Sequence, residues 1–238
     1  MRRLYILAGA NGSGKSTFSK VLLPVEGIVY VNPDDIAKSL NPADPASVQI
    51  EAGKATLREI DGLMGRGESF AIESTLSGQM YVKVLERAKL LGYETTIAYV
   101  FVDSPEVCIE RIAARVKNGG HFVPDEDVRR RYVRSKENFL NVYADIPDHW
   151  MLYYNGGTDF VLVAHGNGTV NIVAQERCDA FLEGGMPEIV EKLTRIGNTA
   201  VHAAQEENRR KGIPNVYVLN GKIVWQLPDG SITTTRPT

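Results

Sequence analysis

GANGSGKST at positions 9–17 follows directly on the apolar run LYILA and constrains the fold more than any other stretch of the chain. Gly9, four intervening residues, then Gly14, Lys15 and Ser16 fit the phosphate-loop (Walker A) spacing G-x-x-x-x-G-K-[ST]. Gly9, Gly12 and Gly14 let the backbone curl until successive N–H groups converge on a phosphate. A helix starting just afterwards aims its positive end at the same anion. Such a cradle is made by Gly9, Ala10, Asn11, Gly12, Ser13, Gly14, Lys15, Ser16 and Thr17. Lys15 is placed to neutralise β- and γ-phosphate oxygens of ATP, and Ser16 to ligate Mg²⁺. Thr17 competes by composition, and the register favours Ser16. A bare strand–helix turn would use the glycines but has no need of Gly-Lys-Ser in this register.

The flanks suit the motif. Leu4–Ala8 reads as a buried strand, and Lys15–Leu23 as a helix ending at Pro24. Strands are then expected at Ile28–Val31 and Ser69–Ile72, with a mostly helical stretch between Ser47 and Met64. QMYVKVLERAKLLGY reads as helix, and ETTIAYVFVDSPEVCIERIAARV as strand followed by helix. A further helix is expected over Asp125–Val142, its stripe made by Val128, Tyr132, Ser135, Phe139 and Val142. Met151–Tyr154 and Phe160–Ala164 should complete the sheet. Alternating strands and helices predict an α/β fold of the P-loop NTPase or kinase type: a mainly parallel sheet with helices on both faces.

A chain of 238 residues with net charge −2 has ample core and no polyelectrolyte signature, so neither nucleic acid nor membrane is an expected partner. The opening apolar run is too short for a signal-peptide core, and no later stretch would span a bilayer. Cys108 and Cys178 stand far apart without ligand spacing, which points to a reducing, cytoplasmic setting and no structural zinc.

In such a sheet ligands gather beyond the carboxyl ends of the strands, so the polar residues there carry the expected chemistry. The second strand ends in Asn32-Pro33-Asp34-Asp35 and the third in Glu73-Ser74-Thr75. Asp34 or Asp35 is placed to deprotonate an acceptor hydroxyl, while either could instead cap the helix starting at Ile36. Glu73 could hold a substrate hydroxyl, a metal-bound water or a lysine. Asp103, after a strand, imitates a Walker B aspartate, although Ser104-Pro105-Glu106 already explains it as part of a helix start. KNGGHFVP, with Gly119-Gly120 and Pro124, reads as a hinged flap between Arg111 and Arg115 on one side and Arg129, Arg130, Arg131 and Arg134 on the other. Planar guanidinium groups match the oxygens of a transferring phosphoryl group, whereas a solvated helix face is the bland account of each arginine.

The ordered motifs GANGSGKST, NPDDIA, FAIESTLSG, SPEVCIERIAARV and GGHFVPDEDVRRRYVRS, spread over residues 1–165, resemble the zeta-toxin family of P-loop kinases, in its chromosomal branch. The resemblance implies an ATP- and Mg²⁺-dependent kinase acting on a hydroxyl of a sugar nucleotide, UDP-N-acetylglucosamine in the family's best-known activity. It makes Lys15 and Ser16 the phosphate and magnesium residues and one of Asp34 and Asp35 the base. Glu73 and Thr75, with Ser74 between them, become substrate contacts, and Arg115 with Arg130 or Arg131 the charge-stabilising arginines. The alternative is a nucleotide-gated binding or regulatory protein that transfers nothing. The toxin half of a toxin–antitoxin pair, with an antitoxin protein as partner, is a third reading.

The kinase domain is therefore expected over 1–170 and a small appendage over 176–238. In the appendage, Ile189, Leu193, Ile196, Val201 and Ala204 mark an amphipathic helix ending at Gly212. A hairpin follows, Val216–Leu219 and Ile223–Leu227 about an Asn220-Gly221 turn.

Overall fold

The computed structural model describes residues 1–22, 28–120, 122–167, 170–183, 207–219, 222–233 and 235–236. They divide into two compact units, Met1–Ile189 and Val190–Thr238.

In the first unit the apolar run becomes β1, Arg3–Ala8, in which Leu4, Ile6, Leu7 and Ala8 are wholly buried. A strand that is apolar after its first residue and buried on both faces belongs inside a parallel sheet covered on both sides. β1 indeed runs parallel to β3 (Phe70–Ser74) and β4 (Glu94–Phe101), with Ile6 opposite both Ile72 and Ile97. The seven-stranded sheet has the order β2-β3-β1-β4-β5-β6-β7. β2 (Val29–Val31) and β5 (His149–Tyr154) are parallel to their neighbours β3 and β4, while β6 (Val161–Gly166) and β7 (Val170–Ile172) close the edge antiparallel. Helices cover this mainly parallel sheet in the manner of P-loop kinases, as the alternation of elements predicts.

Some boundaries moved for identifiable reasons. The third strand runs on to Ser74, so Glu73 lies within the ladder opposite Leu7 rather than beyond its end. The stretch expected to be helical from Ser47 opens with a 3₁₀ turn, Pro45–Val48, before α3, Gln49–Arg66. The last strand of the expected sheet begins at Val161, leaving Phe160 in the β5–β6 loop with its ring 4.8 Å from Phe18.

The largest departure is in α6. The helix expected to run to Val142 stays α-helical over Asp125–Asn138 and widens into a π turn over Phe139–Tyr143. The extra residue rotates the stripe, so Tyr143 rather than Val142 is buried. Phe139 stacks on Tyr99 at 4.5 Å, and Tyr143 donates its hydroxyl to Gly78 O at 2.8 Å. Asn138 Nδ2 donates to Leu76 O at 2.8 Å, so the end of α6 pins the loop that follows β3.

A helix over Gln175–Leu182, α7, falls inside the first unit, although the sequence places the start of the appendage at 176. The second unit holds an antiparallel sheet of β8 (Asn215–Leu219), β9 (Lys222–Gln226) and β10 (Ile232–Thr233), in which the expected hairpin is β8–β9. Ile189, Leu193, Ile196, Val201 and Ala204, with the Asn220-Gly221 turn, lie outside the described residues.

Candidate active site

The loop between β1 and α1 (Lys15–Leu22) is shaped by close approach as much as by backbone freedom. Gly9 has φ +134°, and a Cβ there would stand 2.1 Å from Val100 O. Gly12 has φ +81°, and its Cβ would meet Cys108 O at 2.6 Å. No L side chain fits either position. Asn155, in the loop after β5, donates from Nδ2 to Ser13 O at 2.7 Å and fixes the far side of the loop.

Lys15 is buried and donates to Ala10 O at 2.9 Å, with Glu73 Oε1 at 3.9 Å. Burial lowers its ammonium below the ordinary lysine range, opposed by the charges of Glu73 and Asp34. Glu73 is the hub of the site. Its Oε2 accepts the Ser16 hydroxyl at 2.8 Å and also the phenol of Tyr30, which comes from β2. Burial first, then the Glu73 charge, raises the Tyr30 pKa, so the phenol stays a protonated donor at physiological pH.

At the end of β2 it is Asn32 that caps α2 (Pro33–Leu40), its Oδ1 accepting from Asp34 N at 3.0 Å. Pro33 takes the first helical position, so Asp34 and Asp35 both sit in the first turn and neither serves as the cap. The helix starts three residues before the expected Ile36.

Two cavities meet here. The first, about 840 Å³, runs along the phosphate loop past Ser16, Thr17, Arg111, Arg115, Asn155 and Phe160. Among the described residues five cationic side chains line it, Lys15, Lys20, Lys38, Arg111 and Arg115, against three carboxylates, Asp34, Asp35 and Glu73. The second, about 360 Å³, lies between α3 and the loop after β3, where Leu76 adopts φ +51° and Ser74, Thr75, Ser77 and Gly78 face the space. Among the described residues only Lys15 and Arg131 stand there against Asp34 and Glu73. Asn11, Lys15, Asn32, Asp34 and Glu73 line both cavities, whereas Asp35 lines only the first.

The arginines separate by position. Arg111 donates to Asn155 O at 2.8 Å, and Arg115 stands beside Gly120, where a Cβ would lie 2.4 Å from Arg115 Cγ. Arg131 reaches Asn11 Oδ1 at 3.3 Å, with Asp127 at 3.7 Å. Arg130 pairs with Asp127 at 2.7 Å, is 56% exposed and lines neither cavity. Asp103 is also apart: it accepts from Tyr154 OH at 2.7 Å and faces Arg177 at 3.4 Å. Sequence reasoning missed Tyr30, Asn32 as the cap, Asn155 and Phe160. Asn155-Gly156-Gly157 at a strand end was the one available signal, a rim turn of the kind already noted after β2.

Among the described residues no cluster of three or more His, Cys, Asp or Glu side chains could hold a metal. Mg²⁺ needs no such cluster, since it keeps waters and takes one or two protein oxygens beside substrate phosphates. Ser16 Oγ and the Glu73 carboxylate, 2.8 Å apart at the mouth of the loop, suit that pattern. No helix among the described residues is long and apolar enough to cross a membrane.

Comparison with known proteins agrees with this geometry. An uncharacterized protein of Haemophilus influenzae is 36% identical over 124 residues, which are 52% of this chain and 88% of that protein. The crystal structure of AvrRxo1-ORF1:-ORF2 with ATP superposes with a TM-score of 0.62 at 20% identity, over 78% of this chain and 65% of that one. A chain of the PezAT chromosomal toxin–antitoxin system of Streptococcus pneumoniae gives a TM-score of 0.59 at 18% identity, over 85% and 87%. At these identities the two structures establish a common fold. The family model described as Zeta toxin matches residues 2–162, and the chain belongs to the zeta toxin family of P-loop kinase folds.

Proposed function

We propose that the protein is an ATP- and Mg²⁺-dependent phosphotransferase acting on a hydroxyl of a small molecule. The family resemblance favours the sugar of a sugar nucleotide such as UDP-N-acetylglucosamine as the acceptor. One observation carries the reading: a cationic cavity along the phosphate loop and a second, charge-balanced cavity meet at Lys15, Asp34 and Glu73. A two-substrate transfer needs such a junction, with donor and acceptor bound side by side.

In this reading the amides of residues 9–16 and Lys15 hold the β- and γ-phosphates, and the anion restores to Lys15 the charge that burial disfavours. Ser16 and Glu73 would hold Mg²⁺, directly or through water, and the ion would supply positive charge against the phosphate oxygens. Asp34, facing both cavities, takes the proton of the acceptor hydroxyl. The acceptor oxygen forms its bond to the γ-phosphorus as the bond to the β,γ-bridging oxygen breaks, and ADP leaves. Arg115 from the first cavity and Arg131 from the second stabilise the charge spread over the transferring group. Thr75 and Ser74 contact the acceptor.

Incubation with ATP·Mg²⁺ and a panel of sugar nucleotides, followed by phosphorus NMR, tests the reading. A new phosphomonoester resonance is expected. Its absence for every acceptor, with protein shown to bind ATP, refutes the kinase assignment. The fold shared with a toxin–antitoxin chain supports an antitoxin as partner and the cytoplasm as location. Growth arrest on expression, relieved by Lys15→Ala, is the corresponding test.

A further inference from the structure

We propose that Tyr30 is a positioning residue for Glu73: its phenol pins one carboxylate oxygen beside Ser16, so that Oε1 is the oxygen offered to Mg²⁺ or to its water. The inference rests on the kinase reading for the role of Ser16 and Glu73, and gives Tyr30 an effect that runs through Glu73 alone.

Strand register brings the two side chains together. Tyr30 stands opposite Ala71 across β2 and β3, and Glu73 lies two residues further along β3, on the same face as Ala71. Ala71 presents only a methyl group there, and the Tyr30 hydroxyl reaches past it to Glu73 Oε2. The same oxygen accepts from Ser16 at 2.8 Å. An ionised carboxylate only accepts, so both hydroxyls donate to it. Oε1 is left with Lys15 at 3.9 Å, outside hydrogen-bond distance. Two donors on one oxygen thus fix which oxygen Glu73 presents to the cavities it lines. The Ser16 oxygen keeps its lone pairs for a cation while its proton stays on Glu73.

Packing does not account for the phenol oxygen. β2 is the edge strand of the sheet and Tyr30 is 36% exposed, so a phenylalanine ring would fill the same place. Tyr30 lines the first cavity together with Lys15, Ser16 and Glu73. The comparable bond from Tyr154 goes to Asp103, which lines neither cavity.

Calorimetric titration of the full chain with a non-hydrolysable ATP analogue, with and without saturating Mg²⁺, tests this without turnover. Mg²⁺ should tighten the analogue on the wild type. Tyr30→Phe should weaken it about tenfold with Mg²⁺ present, the lower end for a group that supports a metal ligand. Without Mg²⁺ the variant should bind as the wild type does, which also shows that it is folded. Adding Tyr30→Phe to Glu73→Gln should cost less than about twofold more, since a residue that acts through another is not additive with it. No tightening by Mg²⁺ in the wild type, equal losses with and without Mg²⁺, undiminished tightening in Tyr30→Phe, or additive losses in the double variant overturns the proposal. A Tyr30-dependent Mg²⁺ effect in a protein that phosphorylates no acceptor leaves the positioning role standing and removes the kinase reading. Phosphoryl transfer together with an undiminished Mg²⁺ effect in Tyr30→Phe does the reverse.

Discussion

The Ser16 hydroxyl donates to Glu73 Oε2 at 2.8 Å, joining the phosphate loop to the end of the neighbouring strand across 57 residues of sequence. The same oxygen accepts from Tyr30, and Lys15 stands 3.9 Å from its partner oxygen. Glu73 therefore orients the hydroxyl proposed to ligate Mg²⁺. Glu73→Gln keeps the shape and removes the charge. We expect activity or apparent Mg²⁺ affinity to fall about 10–100-fold, the usual range for a group supporting a metal ligand. ATP affinity without Mg²⁺ should change little. A Mg²⁺ titration of the variant by calorimetry reads both, and an unchanged Mg²⁺ dependence would reduce Glu73 to a partner of Lys15.

Asp34 and Asp35 should differ in kind. With Asn32 as the cap, neither is needed to start α2, and only Asp34 faces both cavities. Asp34→Asn is expected to cut kcat by about 10²–10⁴-fold, as loss of a positioned base does. Asp35→Asn, exposed beside the first cavity, should have a far smaller effect. Steady-state kinetics with both variants settle the assignment: equal, mild losses would mean that neither is the base.

How much of this was legible in advance follows from where each feature is encoded. The phosphate loop is contiguous, so its spacing alone located the cradle, the lysine and the serine. The parallel sheet was legible because apolar runs, Leu4–Ala8, Phe70–Ile72 and Ile97–Phe101, alternate with helical segments. Asp34 and Asp35 stayed ambiguous because the cap one residue before Pro33 is set by backbone angles, Asn32 being extended at φ −115° and ψ 114°. The meeting of Ser16, Tyr30 and Glu73 depends on strand order, which puts β3 between β2 and β1 and which no local pattern states. The π turn after Asn138 escaped because a 3.6-residue period cannot announce one added residue.

The arginines on either side of Gly119-Gly120 should rank by position. Arg115→Ala is expected to lower kcat more than it weakens ATP binding, since the charge it meets develops during transfer. Arg130→Ala should be close to wild type, because its guanidinium is paired with Asp127 and 56% exposed. Gly120→Ala supplies an independent check. Its Cβ would fall 2.4 Å from Arg115 Cγ and 2.9 Å from Arg115 O, so it should displace that side chain and reproduce part of the Arg115→Ala loss. Kinetics on the three variants test the order, and a full-strength loss in Arg130→Ala would reverse the assignment.

Alkaline pH should destabilise the unit that carries the phosphate loop. Burial pushes the Cys108 thiol from 9.0 up to about 11, and raises Tyr132 and Tyr143 from 10.0 to about 12. The folded chain thus keeps protons that the unfolded chain releases first. Between pH 9 and about 11 for Cys108, and between 10 and about 12 for the tyrosines, the folded state binds more protons, so stability falls as pH rises. Cys108 alone accounts for about 2–3 kcal/mol by the top of its window. The effect bears on function because the Cys108 carbonyl is packed behind Gly12. Melts recorded from pH 7 to 10.5 should show a level Tm that declines above pH 9, with a shallower decline in Cys108→Ala. Native protein at pH 8 should also resist thiol labelling until denaturant is added, both cysteines being buried. A Tm constant through pH 10.5, or rapid labelling of Cys108 in the native state, would contradict the buried, protonated thiol from which the decline is derived.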